Sequence, residues 1–180
     1  IGEIANMIGV AIATPITFKL GKKSTFLYSL FAIMALCVAF YYVPTDNTSG
    51  YWALLILQIA TGIFTGIISP LVWSMYADIS DYAELKFKTA STGLIFSSSS
   101  MAQKFGGAFG TSAVLWLLAA FGFNTAEGAV QTAEAIEGLR LLISWIPAGI
   151  AALSAIFIFI YPLTTKRMKE ITKQLNSTRE

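Results

Sequence analysis

Two groups of residues in this chain have the types and spacing to do chemistry. In "SSSSMAQK", Ser97, Ser100 and Lys104 stand three and four apart, which is one row of an α-helix, and Ser99 and Gln103 form the adjoining row. Hydroxyl, amide and ammonium groups in one stripe suit a ligand dense in hydroxyls, such as a sugar, although serines also serve as plain interhelical contacts. In "ADISDYAELKFK", Asp78, Asp81 and Glu84 are three apart, on one face if a helix continues there, with Lys86 and Lys88 beyond them. Such carboxylates either pair with basic residues of another helix bundle, closing a gate, or hold Mg²⁺ for a diphosphate substrate, or are simply solvated.

The elements that must position these groups are membrane helices. Hydrophobic residues are 56% of the 180 positions and charged ones only 12%, well away from the usual balance of a soluble domain. Apolar stretches run over about 4–18, 24–43, 51–77, 93–122 and 139–162. That predicts four full spans and one partial, since roughly 20 apolar residues cross the hydrocarbon layer. The expected fold is therefore all-α, a polytopic transmembrane helix bundle. Residues 1–162 form the membrane part and 163–180 a polar tail.

Charge placement predicts the orientation. Lys19, Lys22, Lys23, Lys86, Lys88, Lys166, Arg167, Lys169, Lys173 and Arg179 all fall on alternate connections, and the intervening connections hold none, with Arg140 at the edge of the last span. By the positive-inside rule the segments 19–23 and 78–91 and the tail face the cytoplasm. Tyr41, Tyr42, Tyr51 and Trp52 then form an interfacial belt on the other side. Gly62, Gly66 and Pro70 interrupt one span, and Gly106, Gly107 and Gly110 another, which favours close packing or a hinge.

Several function classes drop out. Without histidine, an imidazole metal site and a serine–histidine triad are excluded within this chain. The single cysteine, Cys37, lies in an apolar run as a small hydrophobe. Nothing favours nucleic acid, and no cofactor is expected. Lys104 lies about eleven residues into its span, roughly 16 Å deep. A lysine stem snorkels only from near a helix end, so this ammonium must face the bundle interior or a watered cavity. The chain starts inside an apolar run without methionine and is expected to be a piece of something longer.

"ADISDYAELK" followed by "STGLIFSSSSMAQKFGGAFG" resembles the glycoside–pentoside–hexuronide cation symporters, the melibiose permease family within the major facilitator superfamily. The resemblance implies twelve helices in two six-helix halves, with this chain supplying part of helix eight through helix twelve and an N-terminal half elsewhere. It implies a multi-pass carrier of the plasma (inner) membrane that couples a sugar or glycoside to Na⁺ or H⁺. In that family a lysine of the eleventh helix stands at the central cavity, and Lys104 matches it. The positions one, four and five before it line the sugar pocket, here Gln103, Ser100 and Ser99. Asp78 and Asp81 match members of the charge network that closes the cytoplasmic side, alongside Glu84 and Lys88. One position departs from the pattern: Ala90 stands where relatives commonly carry arginine. The alternative to transport is an integral-membrane, Mg²⁺-dependent transferase acting on a lipid or isoprenoid diphosphate through Asp78 and Asp81; a purely structural membrane subunit is a third reading.

Overall fold

Long apolar stretches with few charges give long helices, because in lipid each backbone amide must be satisfied within its own segment. The computed structural model describes residues 2–44, 47–89, 91–126 and 130–179, so Ala90 lies outside the described residues. In order along the chain the helices are α1 (Gly2–Leu20), α2 (Lys22–Tyr42), α3 (Thr48–Phe87), α4 (Thr92–Ala120), α5 (Ala133–Ile143), α6 (Trp145–Ile160) and α7 (Thr165–Arg179). No strand occurs among the described residues.

Among the described residues, four stretches are both long and apolar enough to cross a membrane: Gly2–Leu20, Lys22–Tyr42, Thr48–Phe87 and Ala133–Ile160. The expected span at 93–122 is present as the 29-residue α4, but it is not among the four. At 1.5 Å per residue it is roughly 43 Å long, ample for the hydrocarbon layer. What lowers its apolar character is the Ser–Gln–Lys stripe itself.

Two boundaries differ from expectation. Residues 78–87 were expected in a connection, yet α3 continues through Pro70 to Phe87 as one 40-residue helix. Its length, roughly 60 Å, is twice the hydrocarbon thickness, so its last turns stand clear of the lipid core. It ends at Lys88, whose φ of 54° is the left-handed cap conformation and whose N–H donates to the Glu84 carbonyl. The last span is broken at Ser144, a fully buried residue with φ −111° and ψ −83°. Pro147 explains the break: it has no N–H to offer the Ile143 carbonyl, and its ring crowds that turn. The Ser144 hydroxyl donates to the Arg140 carbonyl at 2.5 Å, the same oxygen that accepts from its own N–H, which satisfies this buried side chain at the break.

Close packing of α1 on α3 depends on small residues. A methyl on Gly66 would collide with the backbone carbonyl of Asn6, and one on Gly9 with that of Ile63. Gly62, one turn before Gly66, lies against Ala5 in the same seam. Ala13, Phe26, Leu30, Ile67, Leu71, Met75, Ala151 and Ala155 form the core where α1, α2, α3 and α6 meet. A second cluster, Leu163, Ile171 and Leu175, packs with Ile79, Tyr82 and Leu85. The expected polar tail is thus an amphipathic helix, α7, docked along the extension of α3.

Candidate functional site

The two candidate groups occupy different levels of the bundle. Ser80 and Thr92 hydroxyls hydrogen-bond at 2.6 Å, which sets the start of α4 beside the acidic end of α3. Lys104 is twelve residues further along α4, a rise of roughly 18 Å. The acidic residues therefore do not meet the stripe.

α4 is fastened at its ends and bare in between. Near its start Phe96 stacks on Trp73 at 6.1 Å and meets Tyr76 edge-on. At its other end the Phe121 ring fills the notch that Gly138 leaves in α5. No residue of α4 is buried, and Gly106, Gly107 and Gly110 have open space where a Cβ would stand. The side chains of Ser97, Ser100, Met101, Lys104, Phe105 and Ala108 line an open groove of about 510 Å³. Ser100 and Lys104 share this groove with Ser97, as their spacing requires, whereas Ser99 and Gln103 lie outside its lining, one row around the helix. The Ser97 hydroxyl is turned back onto the Leu94 carbonyl and that of Ser98 onto Ile95. Ser99, Ser100 and Lys104 make no such bond to other described residues. Lys104 has no carboxylate within ion-pair reach among them.

At the end of α3 the central residue is Asp78, 8% exposed. Both of its oxygens accept from the Lys22 ammonium, at 2.6 and 2.8 Å. This pair lies within one bundle, joining the start of α2 to α3. Lys22 was not singled out in the sequence; its only signal was a basic "GKKS" turn on the same membrane side as "ADISD". Lys23, its neighbour, donates to the carbonyls of Phe159 and Tyr161, capping α6. The Tyr161 hydroxyl is buried without a hydrogen-bond partner among the described residues. Burial, and then the nearby Asp78 carboxylate, push its pKa above the ordinary phenol range. Asp81 and Glu84 are half-buried on the same helix, and Lys88 is exposed at its cap.

With Asp78 fully engaged by an ammonium, little remains for a divalent cation. No cluster of three or more His, Cys, Asp or Glu side chains is arranged to hold a metal among the described residues.

The family comparison gives this bundle of apolar helices its context: a model for MFS/sugar transport proteins matches residues 1–165. The chain belongs to the MFS/sugar transport protein family. It is a multi-pass membrane protein built as part of a major facilitator helical bundle. Relatives include the glucuronide carrier protein homolog of Escherichia coli, 29% identical over 98% of this chain and 38% of its own length. The inner membrane symporter YicJ of the same organism is 30% identical over 96% of this chain and 37% of its own. The isoprimeverose transporter of Lactiplantibacillus pentosus is 30% identical over 88% of this chain and 32% of its own. The chain thus spans about a third of the length of these relatives.

Proposed function

We propose that this chain is part of helix eight through helix twelve of the C-terminal six-helix bundle of a cation-coupled sugar symporter of the inner membrane. It works by alternating access with an N-terminal six-helix half. Sugar and Na⁺ or H⁺ bind between the halves near the midplane, and the two bundles rock about that site. Lys104, Gln103, Ser100 and Ser99 face the substrate. Asp78, Asp81, Glu84 and Lys88 belong to the cytoplasmic gate, which places the segments 19–23 and 78–91 and α7 on the cytoplasmic side. Each ligand strengthens the binding of the other by the same factor, which is what couples the two gradients.

The observation that supports this reading most is Lys104. An ammonium at a helix centre costs about 2.5–3.5 kcal/mol on insertion scales, and here it lies in an open groove beside serine hydroxyls. A ligand-accepting wet cavity justifies that cost. Two relatives, a glucuronide carrier protein homolog and an isoprimeverose transporter, agree in substrate class. The test is uptake into proteoliposomes driven by an imposed cation gradient. Lys104→Gln abolishes or uncouples sugar accumulation, and a cysteine at Ser100 is protected from a thiol reagent by sugar. Full gradient-driven accumulation in Lys104→Gln refutes the assignment.

A further inference from the structure

We propose that the lysine-rich end of the bundle holds an acidic phospholipid, its phosphate between α7 and α2 and its acyl chain along the seam of α1 and α3. This goes beyond transport and does not rest on it.

Two cavities meet at that end. The first, about 530 Å³, is lined by Lys22, Asp78, Thr165, Lys169, Thr172 and Lys173 among others. The second, about 420 Å³, shares Lys22, Thr165 and Lys169 with the first and continues past Phe18 and Ala13 of α1 and Pro70 and Leu71 of α3. They adjoin across Lys22, Thr165 and Lys169, the first presenting ammonium groups at the end of the bundle and the second a mainly apolar wall along its flank.

The charge at the polar end is not balanced by the protein. Lys22 is answered by Asp78. Lys169 and Lys173, one turn apart on α7, have no ion-pair partner among the described residues. Glu170, the carboxylate of α7, follows Lys169 directly and so points about 100° around the helix. Two ammonium groups therefore line a space many times larger than a phosphate ion. An inorganic anion would answer the charge and leave the apolar continuation empty. A phospholipid fills both, and basic pockets between membrane helices take acidic head groups for this reason. The docking of Ile171 and Leu175 on α3 fixes the orientation of α7 so that Lys169 and Lys173 stay over the groove.

The experiment is native mass spectrometry of the full-length, delipidated protein in detergent, titrated with phosphatidylglycerol, phosphatidylcholine or inorganic phosphate. Phosphatidylglycerol binds in preference to phosphatidylcholine, and Lys169→Gln with Lys173→Gln weakens it about thirtyfold, since each surface lysine contributes about fivefold toward an acidic lipid. Thr172→Trp, which keeps every charge and fills the first cavity, also removes the bound lipid. Lys19→Gln with Lys166→Gln, the same charge loss outside both cavities, leaves binding unchanged. Should the lysine pair prevent folding, as read by the thermal melt, Thr172→Trp decides. Equal loss in the control pair, no preference for phosphatidylglycerol, or displacement of the lipid by inorganic phosphate each overturns the proposal. So does a Thr172→Cys thiol that stays unreactive in the delipidated protein, because another segment of the chain then fills the groove.

Discussion

Removing Lys22 should cost the protein more than removing Asp78, although the two form one ion pair. The ammonium sits 2.6 and 2.8 Å from the two carboxylate oxygens, and the side chains are 34% and 11% exposed, the lysine being the wetter partner. At an effective dielectric near 20 the gross attraction at this separation is about 6 kcal/mol, most of it offset by desolvation of the carboxylate. Lys22→Met strands that carboxylate where water barely reaches, and breaking a buried pair from this side costs about 3–5 kcal/mol. Asp78→Leu strands an ammonium on a long stem that swings into water, so its cost is smaller, about 1–2 kcal/mol. The double variant, with neither charge present, should recover much of the Lys22→Met loss. The assay is equilibrium unfolding of the purified protein in mixed micelles, closed as a double-mutant cycle. Costs that simply add, or an Asp78→Leu loss equal to that of Lys22→Met, would refute the reasoning, since either means the carboxylate does not depend on Lys22.

Two further outcomes follow from the packing. Gly66→Ala drives a methyl into the Asn6 carbonyl, whereas a methyl on Gly62 meets the Ala5 Cβ at 3.1 Å; the same unfolding assay should show Gly66→Ala losing about 1–3 kcal/mol and Gly62→Ala less. Tyr161 holds its proton in the folded state at pH values where the unfolded phenol, with its ordinary pKa near about 10, has released it. Its contribution is complete below that value and is lost as the pH climbs toward the raised folded value, so the unfolding midpoint should fall more steeply in alkali for the wild type than for Tyr161→Phe; parallel curves would dismiss the effect.

The existence of the membrane helices is legible in the sequence because lipid leaves the backbone no alternative. Their ends are less so, because tertiary partners decide them. Asp78, Ser80 and Asp81 look like a membrane exit, yet the helix runs on: Lys22 neutralises the first, Thr92 bonds the second, and Ile79, Tyr82 and Leu85 have α7 to pack against. Each of those partners is distant in sequence or lies on another element. The spacing of Met168, Ile171 and Leu175 does announce an amphipathic helix, but its lysines dominate the composition of the tail. Pro147 marks the break in the last span plainly enough, and the buried Ser144 that accommodates it is visible only in the packing. For the stripe, helix geometry suffices to put Ser100 and Lys104 in one groove and Ser99 and Gln103 in the next row; what the groove faces is not a local property.

The joint between the two candidate groups carries the mechanical content of the proposed mechanism. α3 and α4 meet through Ser80–Thr92 and through the stack of Trp73 and Phe96, both near the start of α4. From that joint α3 runs one way into the acidic end, and α4 runs the other way for roughly 18 Å to Lys104. The stretch of α4 that bears the stripe touches nothing else among its neighbours deeply enough to bury a single residue. Held to α3 near its start and to α5 through Phe121 and Gly138 at its far end, α4 is a lever between the two elements. In a rocking carrier, opening the Asp78 end and reshaping the groove at Lys104 then become two ends of one displacement. The ion pair of Asp78 with Lys22 resists that displacement only if α2 and α3 part during the cycle. If they travel as one body, the pair instead stiffens the lever, and gating falls to charges that reach the other half.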